Sequence, residues 1–227
     1  MLFENRAEAG RRLGRQLQHL RDDDVVVLGL PRGGVPVALE VARALDAPLD
    51  VIVVRKLPLP GHPELAMGAI GEGGVRIVNE PIVRTAHVTP RKRARVEEAE
   101  REELERQLHR YRGDRPKVRL QGRTVVIVDD GVATGATAWA ACRVARAQGA
   151  RKVVVAVGVA PPRWTAELRD AADELVCIDT PAPYYAVGNW YRDFSELSDD
   201  DVARYLARSP HRPSDNPSSA ATQRRAS

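Results

Sequence analysis

The 227-residue sequence has little sulfur and few aromatics: two cysteines, two methionines, two phenylalanines and 4% aromatic residues overall. Two cysteines, Cys142 and Cys177, give neither a disulfide framework nor the spacing of a zinc site. They lie in an amphipathic stretch and an apolar run, where a thiol acts as a small buried hydrophobe, which fits a reducing cytosol. Long apolar runs are also missing. No stretch of 18 apolar residues exists, and the first residues, MLFENRAEAGRRL, carry charge where a signal peptide needs its apolar segment. A cytoplasmic protein with no membrane partner is therefore expected.

The net charge of +4 and isoelectric point near 9.3 invite nucleic acid as a partner, but position argues against it. From Arg208 onward there are four arginines against one aspartate, so most of the excess sits in the last segment and the body is near neutral. That segment, RSPHRPSDNPSSAATQRRAS, has almost no large apolar residue with which to repay ordering entropy. A disordered tail over 208–227 and one folded domain over 1–207 are expected.

Within 1–207, apolar runs alternate with amphipathic stretches. Asn5 to Leu20 has helical spacing, and Val25 to Leu30 reads as a buried strand. Pro36 suits the first turn of a helix through VPVALEVARAL, and Asp50 to Arg55 reads as a second strand. Residues 57–80, with Pro58, Pro60, Pro63 and five glycines, predict a long irregular stretch or hairpin. Pro90 to Arg112 predicts a solvated helix held by many weak charge pairs. Further strands are expected at Thr124 to Val128, Lys152 to Val159 and Glu174 to Ile178, with helices from about Ala138 to Gln148 and from Arg163 to Ala171. Strands separated by helices imply right-handed crossovers and a parallel sheet covered on both faces.

The segment VVIVDDGVATGATAWAA concentrates the chemistry. It joins a buried strand, the carboxylates Asp129 and Asp130 at its C-terminal end, and a small-residue turn entering a helix. That end of a parallel sheet is where loops diverge and leave a crevice. The turn Val132-Ala133-Thr134-Gly135-Ala136-Thr137 offers backbone N–H groups, a helix N-terminus and two hydroxyls to a phosphate. Asp129 and Asp130 can accept hydrogen bonds from vicinal ribose hydroxyls or orient a hydrated Mg2+ ion. The plainer alternative is that the acids cap the helix and the glycines only turn the chain. A nucleotide-binding Gly-Lys-Ser/Thr loop and a G-x-G-x-x-G fingerprint are both absent.

Taken together, these residues resemble the binding signature for 5-phosphoribosyl-1-pyrophosphate (PRPP) of the type I phosphoribosyltransferases. The resemblance spans roughly residues 1–207. It implies an α/β fold with a central parallel five-stranded sheet flanked by helices, a flexible loop over about 57–80, and a small C-terminal hood over about 181–206. Pro31-Arg32-Gly33-Gly34 then resembles the pyrophosphate loop, and Lys56 is placed to assist Arg32, Gly33 and Gly34 there. In the hood, Tyr184, Tyr185 and Trp190 are candidates for stacking on a planar acceptor, or for packing the hood itself.

The resemblance implies Mg2+-dependent transfer of the phosphoribosyl group from PRPP to a small-molecule acceptor, with no nucleic acid involved and a homodimer allowed. Catalytic candidates are Asp129, Asp130 and Glu72. Ala133 departs from relatives that use an acid there on 6-oxopurines, and Glu72, in the Gly-rich segment AMGAIGEGGVR, is the candidate to supply the missing acid–base function. The rival readings are a PRPP-sensing or regulatory protein without transfer chemistry, and a hydrolase acting on PRPP or a nucleotide.

Overall fold

A computed structural model of the chain describes residues 2–166 and 168–209. In order, the elements are α1 (Arg6–Gln16), β1 (Val25–Gly29), α2 (Gly34–Leu45), β2 (Leu49–Val51), β3 (Val54–Leu59), β4 (His62–Gly71), β5 (Val75–Val78), α3 (Glu80–Thr85), α4 (Pro90–Arg112), β6 (Thr124–Gly131), α5 (Ala136–Ala147), β7 (Lys152–Val159), β8 (Glu174–Asp179) and α6 (Asp199–Ala207). Ser198 and Asp201 close a capping box at the start of α6. The tail expected to be disordered lies, from residue 210 on, outside the described residues. No helix among the described residues is long and apolar enough to cross a membrane.

Five strands form one parallel sheet in the order β2-β1-β6-β7-β8. Its central strands are β-branched runs because both faces are covered. Side chains alternate across the sheet, so Val27, Val126 and Val128 join Leu13, Leu39 and Leu206 of α1, α2 and α6 on one face. Leu28, Val125 and Ile127 join Ala141, Cys142 and Val144 of α5 on the other. Cys142 is a fully buried hydrophobe, as expected. The central parallel five-stranded sheet flanked by helices, implied by the resemblance, is the one observed. After β1 the chain steps outward to β2, then returns to the far side as β6. The order reverses there, and a crevice opens between the C-terminal ends of β1 and β6.

Two expectations change. The strand expected over Asp50–Arg55 is split: β2 ends at Val51, Ile52 and Val53 are buried in the passage, and β3 starts a separate antiparallel sheet, β3-β4-β5. The stretch 57–80 is most of that sheet. Its register shifts around Pro58, which has no N–H to give to a ladder. Residues 163–171, expected as a helix, form turns among the described residues, with bonds such as Trp164 N–H to the Pro161 carbonyl spanning three residues.

The charged helix α4 is less solvated than its composition implies. Glu97, Leu104 and Tyr111 are buried, and its charges reach other elements: Glu100 pairs with Arg55, and Glu97 with Arg76.

Candidate functional site

Two loops meet at the crevice. After β1, Leu30 donates to the Val128 carbonyl at 2.9 Å, and the chain passes through Pro31, Arg32 and Gly33 into α2. The fit against β6 is close. A Cβ on Gly33 would stand 2.0 Å from Asp130 Oδ2, and one on Gly34 would stand 2.4 Å from the Val128 carbonyl oxygen. Glycine is required at both positions because the pyrophosphate-loop candidate lies directly on the acid pair.

After β6, Val132 is buried and donates to the Val159 carbonyl at 2.9 Å, which anchors the turn to β7. Ala133, Thr134, Ala136 and Thr137 are exposed. Gly135 sits at φ 79°, a left-handed conformation that glycine tolerates, and no side chain caps α5 there. The first-turn N–H groups of α5 thus have no intrahelical partner, and Thr137 beside them lines the adjoining cavities, an arrangement suited to a phosphate.

The acid pair is asymmetric. Asp129 is half-buried and its Oδ1 accepts the Asp130 backbone N–H at 2.9 Å. Burial first, and then the charge of Asp130, push its carboxyl well above the ordinary carboxylate range. Asp130 is buried and ion-paired: Arg6 Nε donates to its Oδ2 at 2.8 Å. Tyr191 donates its hydroxyl to the Asp130 carbonyl at 2.6 Å. Tyr191 belongs to the aromatic group expected to stack on an acceptor or pack the hood, and it packs; Arg6 was not a sequence candidate, and nothing in the pattern of α1 marks one arginine out of 31. No cluster of three or more metal-ligating side chains occurs among the described residues.

Two cavities adjoin the turn between β6 and α5, and Val54 and Thr137 line both. One, of about 390 Å³, is bounded by Pro31, Arg32, Arg55, Gln107, Tyr111 and Asp199. The other, of about 720 Å³, lies between the antiparallel sheet and α5, with Lys56, Gly68, Asn79 and Trp139 among its walls. Arg32 and Lys56 therefore flank Thr137 from two sides. Arg32 is exposed and contacts Glu196 at 3.4 Å.

The hood candidates divide. Tyr184 is half-buried and donates to the Val132 carbonyl at 2.8 Å, and burial pushes its hydroxyl up to about 12. Trp190 packs into a cluster around Phe3 and Tyr191, and its carbonyl accepts the N–H groups of Leu2 and Phe3. These two hold the hood against the sheet. Tyr185, 79% exposed, is the one of the three with a free face for stacking.

The structure does not bring Glu72 to this site. Its carboxylate pairs with Arg112 and Lys117, and its carbonyl accepts from the Gln148 side chain at 2.9 Å. Gln148 is at the C-terminal end of α5, whereas the turn after β6 is at the N-terminal end, roughly 18 Å away at 1.5 Å per residue. The acid–base role expected of Glu72 gives way to a structural one. Arg112 also binds Asp50 at 2.7 Å, and both side chains of that pair are under a tenth exposed. The trio thus fastens the antiparallel sheet to the edge of the parallel one.

Residues 3–188 match the family model described as the phosphoribosyl transferase domain. Two proteins of Mycobacterium tuberculosis, both provisionally named as phosphoribosyl transferases, are 55% identical over 207 residues, 91% of this chain. The chain spans about half the length of these curated relatives, 47%. The crystal structure of the protein TT1426 from Thermus thermophilus superposes with a TM-score of 0.83 at 44% identity, covering 93% of this chain and 100% of that one. With a family match over most of its length and the crevice described above, this chain belongs to the phosphoribosyl transferase domain family.

Proposed function

We propose that the protein transfers the 5-phosphoribosyl group from PRPP to a small nitrogenous acceptor, with release of pyrophosphate and dependence on Mg2+. The observation that carries this reading is the convergence, at the reversal point of a parallel sheet, of a phosphate turn, an acid pair and a glycine loop built against that pair. The turn from Val132 to Thr137 holds the 5-phosphate through its N–H groups and the Thr134 and Thr137 hydroxyls. Asp129 and Asp130 orient the ribose hydroxyls. The N–H groups of Arg32, Gly33 and Gly34, with the Arg32 and Lys56 cations, take up the charge of the departing pyrophosphate.

In the transfer, the bond from the anomeric carbon to the pyrophosphate oxygen breaks and a bond to the acceptor nitrogen forms. The acceptor's proton passes to solvent, and no protein nucleophile is required. The acid pair fits a hydrated Mg2+ ion, which proteins hold through one or two carboxylates together with substrate oxygens. Such an ion, when bound, neutralises pyrophosphate charge.

A second reading, binding of PRPP without transfer, is favoured by one observation. Position 133 has no carboxylate, and Glu72 is engaged elsewhere. One experiment separates the two: the protein is incubated with PRPP, Mg2+ and a panel of bases and amines while pyrophosphate is measured. Acceptor-dependent release is expected for the transferase. PRPP binding without release for any acceptor supports the second reading, and no PRPP binding removes both.

A further inference from the structure

Arg6 stands in the first turn of α1, 124 residues from Asp130 in the chain. Its Nε donates to Asp130 Oδ2 at 2.8 Å and a terminal nitrogen donates to the Ser195 carbonyl at 2.9 Å. The guanidinium carbon lies 3.8 Å from the centre of the Phe194 ring. Phe194 stacks on Tyr191 at 5.2 Å, and Tyr191 on Phe3 at 5.0 Å. The ion pair is nearly enclosed, with side-chain exposures of 12% for Arg6 and 11% for Asp130. Asp130 is therefore held twice: its side chain by Arg6 of α1 and its carbonyl by Tyr191 of the hood.

Charge gives this arrangement a function beyond packing. PRPP is a polyanion, and two adjacent carboxylates at its ribose would repel it. A guanidinium seated on one of them removes part of that repulsion, and its planar fork fixes the carboxylate's orientation. The pair is sheltered enough for its field to be weakly screened.

We propose that Arg6 is a positioning residue of the PRPP site. It orients Asp130, offsets the charge of the acid pair toward the polyanionic ligand, and ties the hood to the ribose-binding strand through Ser195 and Phe194. The proposal rests on the reading of the crevice as a PRPP site. It differs from two simpler roles for the same contact, a pair that only stabilises the fold and a plug that the ribose must displace.

The test is calorimetric titration of the full chain with PRPP in the presence of Mg2+. Arg6→Gln is expected to weaken binding about tenfold or more, the size of coupling seen for groups in one charged network. Arg6→Lys, which restores the charge, is expected to return within about threefold of wild type, and in an Asp130→Asn background Arg6→Gln is expected to cost about twofold or less. If Arg6→Gln does not fold, Phe194→Leu takes its place. It removes the platform under the guanidinium and is expected to weaken PRPP about threefold. Unchanged affinity in the variant that folds reduces Arg6 to a stability contact, and tighter binding makes it a plug. Either result overturns the proposal while leaving the PRPP reading intact. Absence of PRPP binding by the wild type ends both.

Discussion

The two sheets differ in how they meet water. In the parallel sheet, Val125 to Val128 and Val153 to Val157 are buried without interruption, between α1, α2 and α6 on one face and α5 on the other. In the antiparallel sheet, His62 to Leu65 are exposed, while Leu57, Leu59 and Met67 join Leu104 and Tyr111 of α4 in the core and Gly71 is set against Val144 of α5. The glycine loop, acid pair and the turn after β6 all extend from the first sheet, while Lys56, Gly68 and Asn79, walls of the larger cavity, come from the second or from its end. One half of the site thus rests on the best-buried part of the molecule. The other half rests on a sheet in which one strand start, His62 to Leu65, is exposed, the kind of segment that opens locally at low cost.

That contrast can be broken first where the sheets are fastened. Arg112→Ala leaves Asp50 buried without its cation and frees Glu72, and is expected to cost about 3–5 kcal/mol in chemical denaturation. A loss under about 1 kcal/mol would mean that the two sheets do not depend on the trio. Within the sheets, Ile127→Ala is expected to cost about 2–5 kcal/mol, and Leu65→Ala, at a position 52% exposed, about 0.5 kcal/mol or less. Equal costs would contradict the contrast.

A smaller effect concerns Asp129. Its folded-state carboxyl titrates above the ordinary value of 3.8, so the folded state binds the proton more tightly than the unfolded state. The stability of the ligand-free protein should therefore fall as pH rises from that value through the raised one. Asp129→Asn removes this fall. Its melting temperature should match wild type near pH 3.5 and exceed it at pH 7.5, while PRPP binding weakens. A variant less stable than wild type at pH 7.5 contradicts the assignment. The smallest effect is expected from Glu72→Gln, which should leave PRPP affinity within about twofold of wild type, since the side chain interacts with Arg112 and Lys117.

The same contrast explains what could be read from the sequence. Strands buried on both faces appear as β-branched runs, and β7 falls on Lys152–Val159, as expected. The turn after β6 was legible because a strand end, a left-handed glycine and a helix start need small residues in a fixed local order. The antiparallel sheet was legible only as one of two alternatives, a hairpin or an irregular stretch, since Pro58 and five glycines mask the strand pattern. Long-range pairs were harder still. The contact of Glu72 with Arg112 spans 40 residues, and that of Arg6 with Asp130 spans 124. Local spacing gives no sign of either. The hood's aromatics were visible as a cluster, but which of them face inward depends on bonds to Val132 and Asp130 that the hood sequence does not contain.

The central claim is that the crevice at the ends of β1 and β6 binds PRPP. Amide hydrogen exchange, compared with and without PRPP and Mg2+, tests it most directly because it reports position as well as binding. Slowed exchange concentrated in Arg32 to Val35 and in Val132 to Trp139 is the expected result. Binding that leaves both segments unchanged, or no binding at millimolar PRPP, would contradict it.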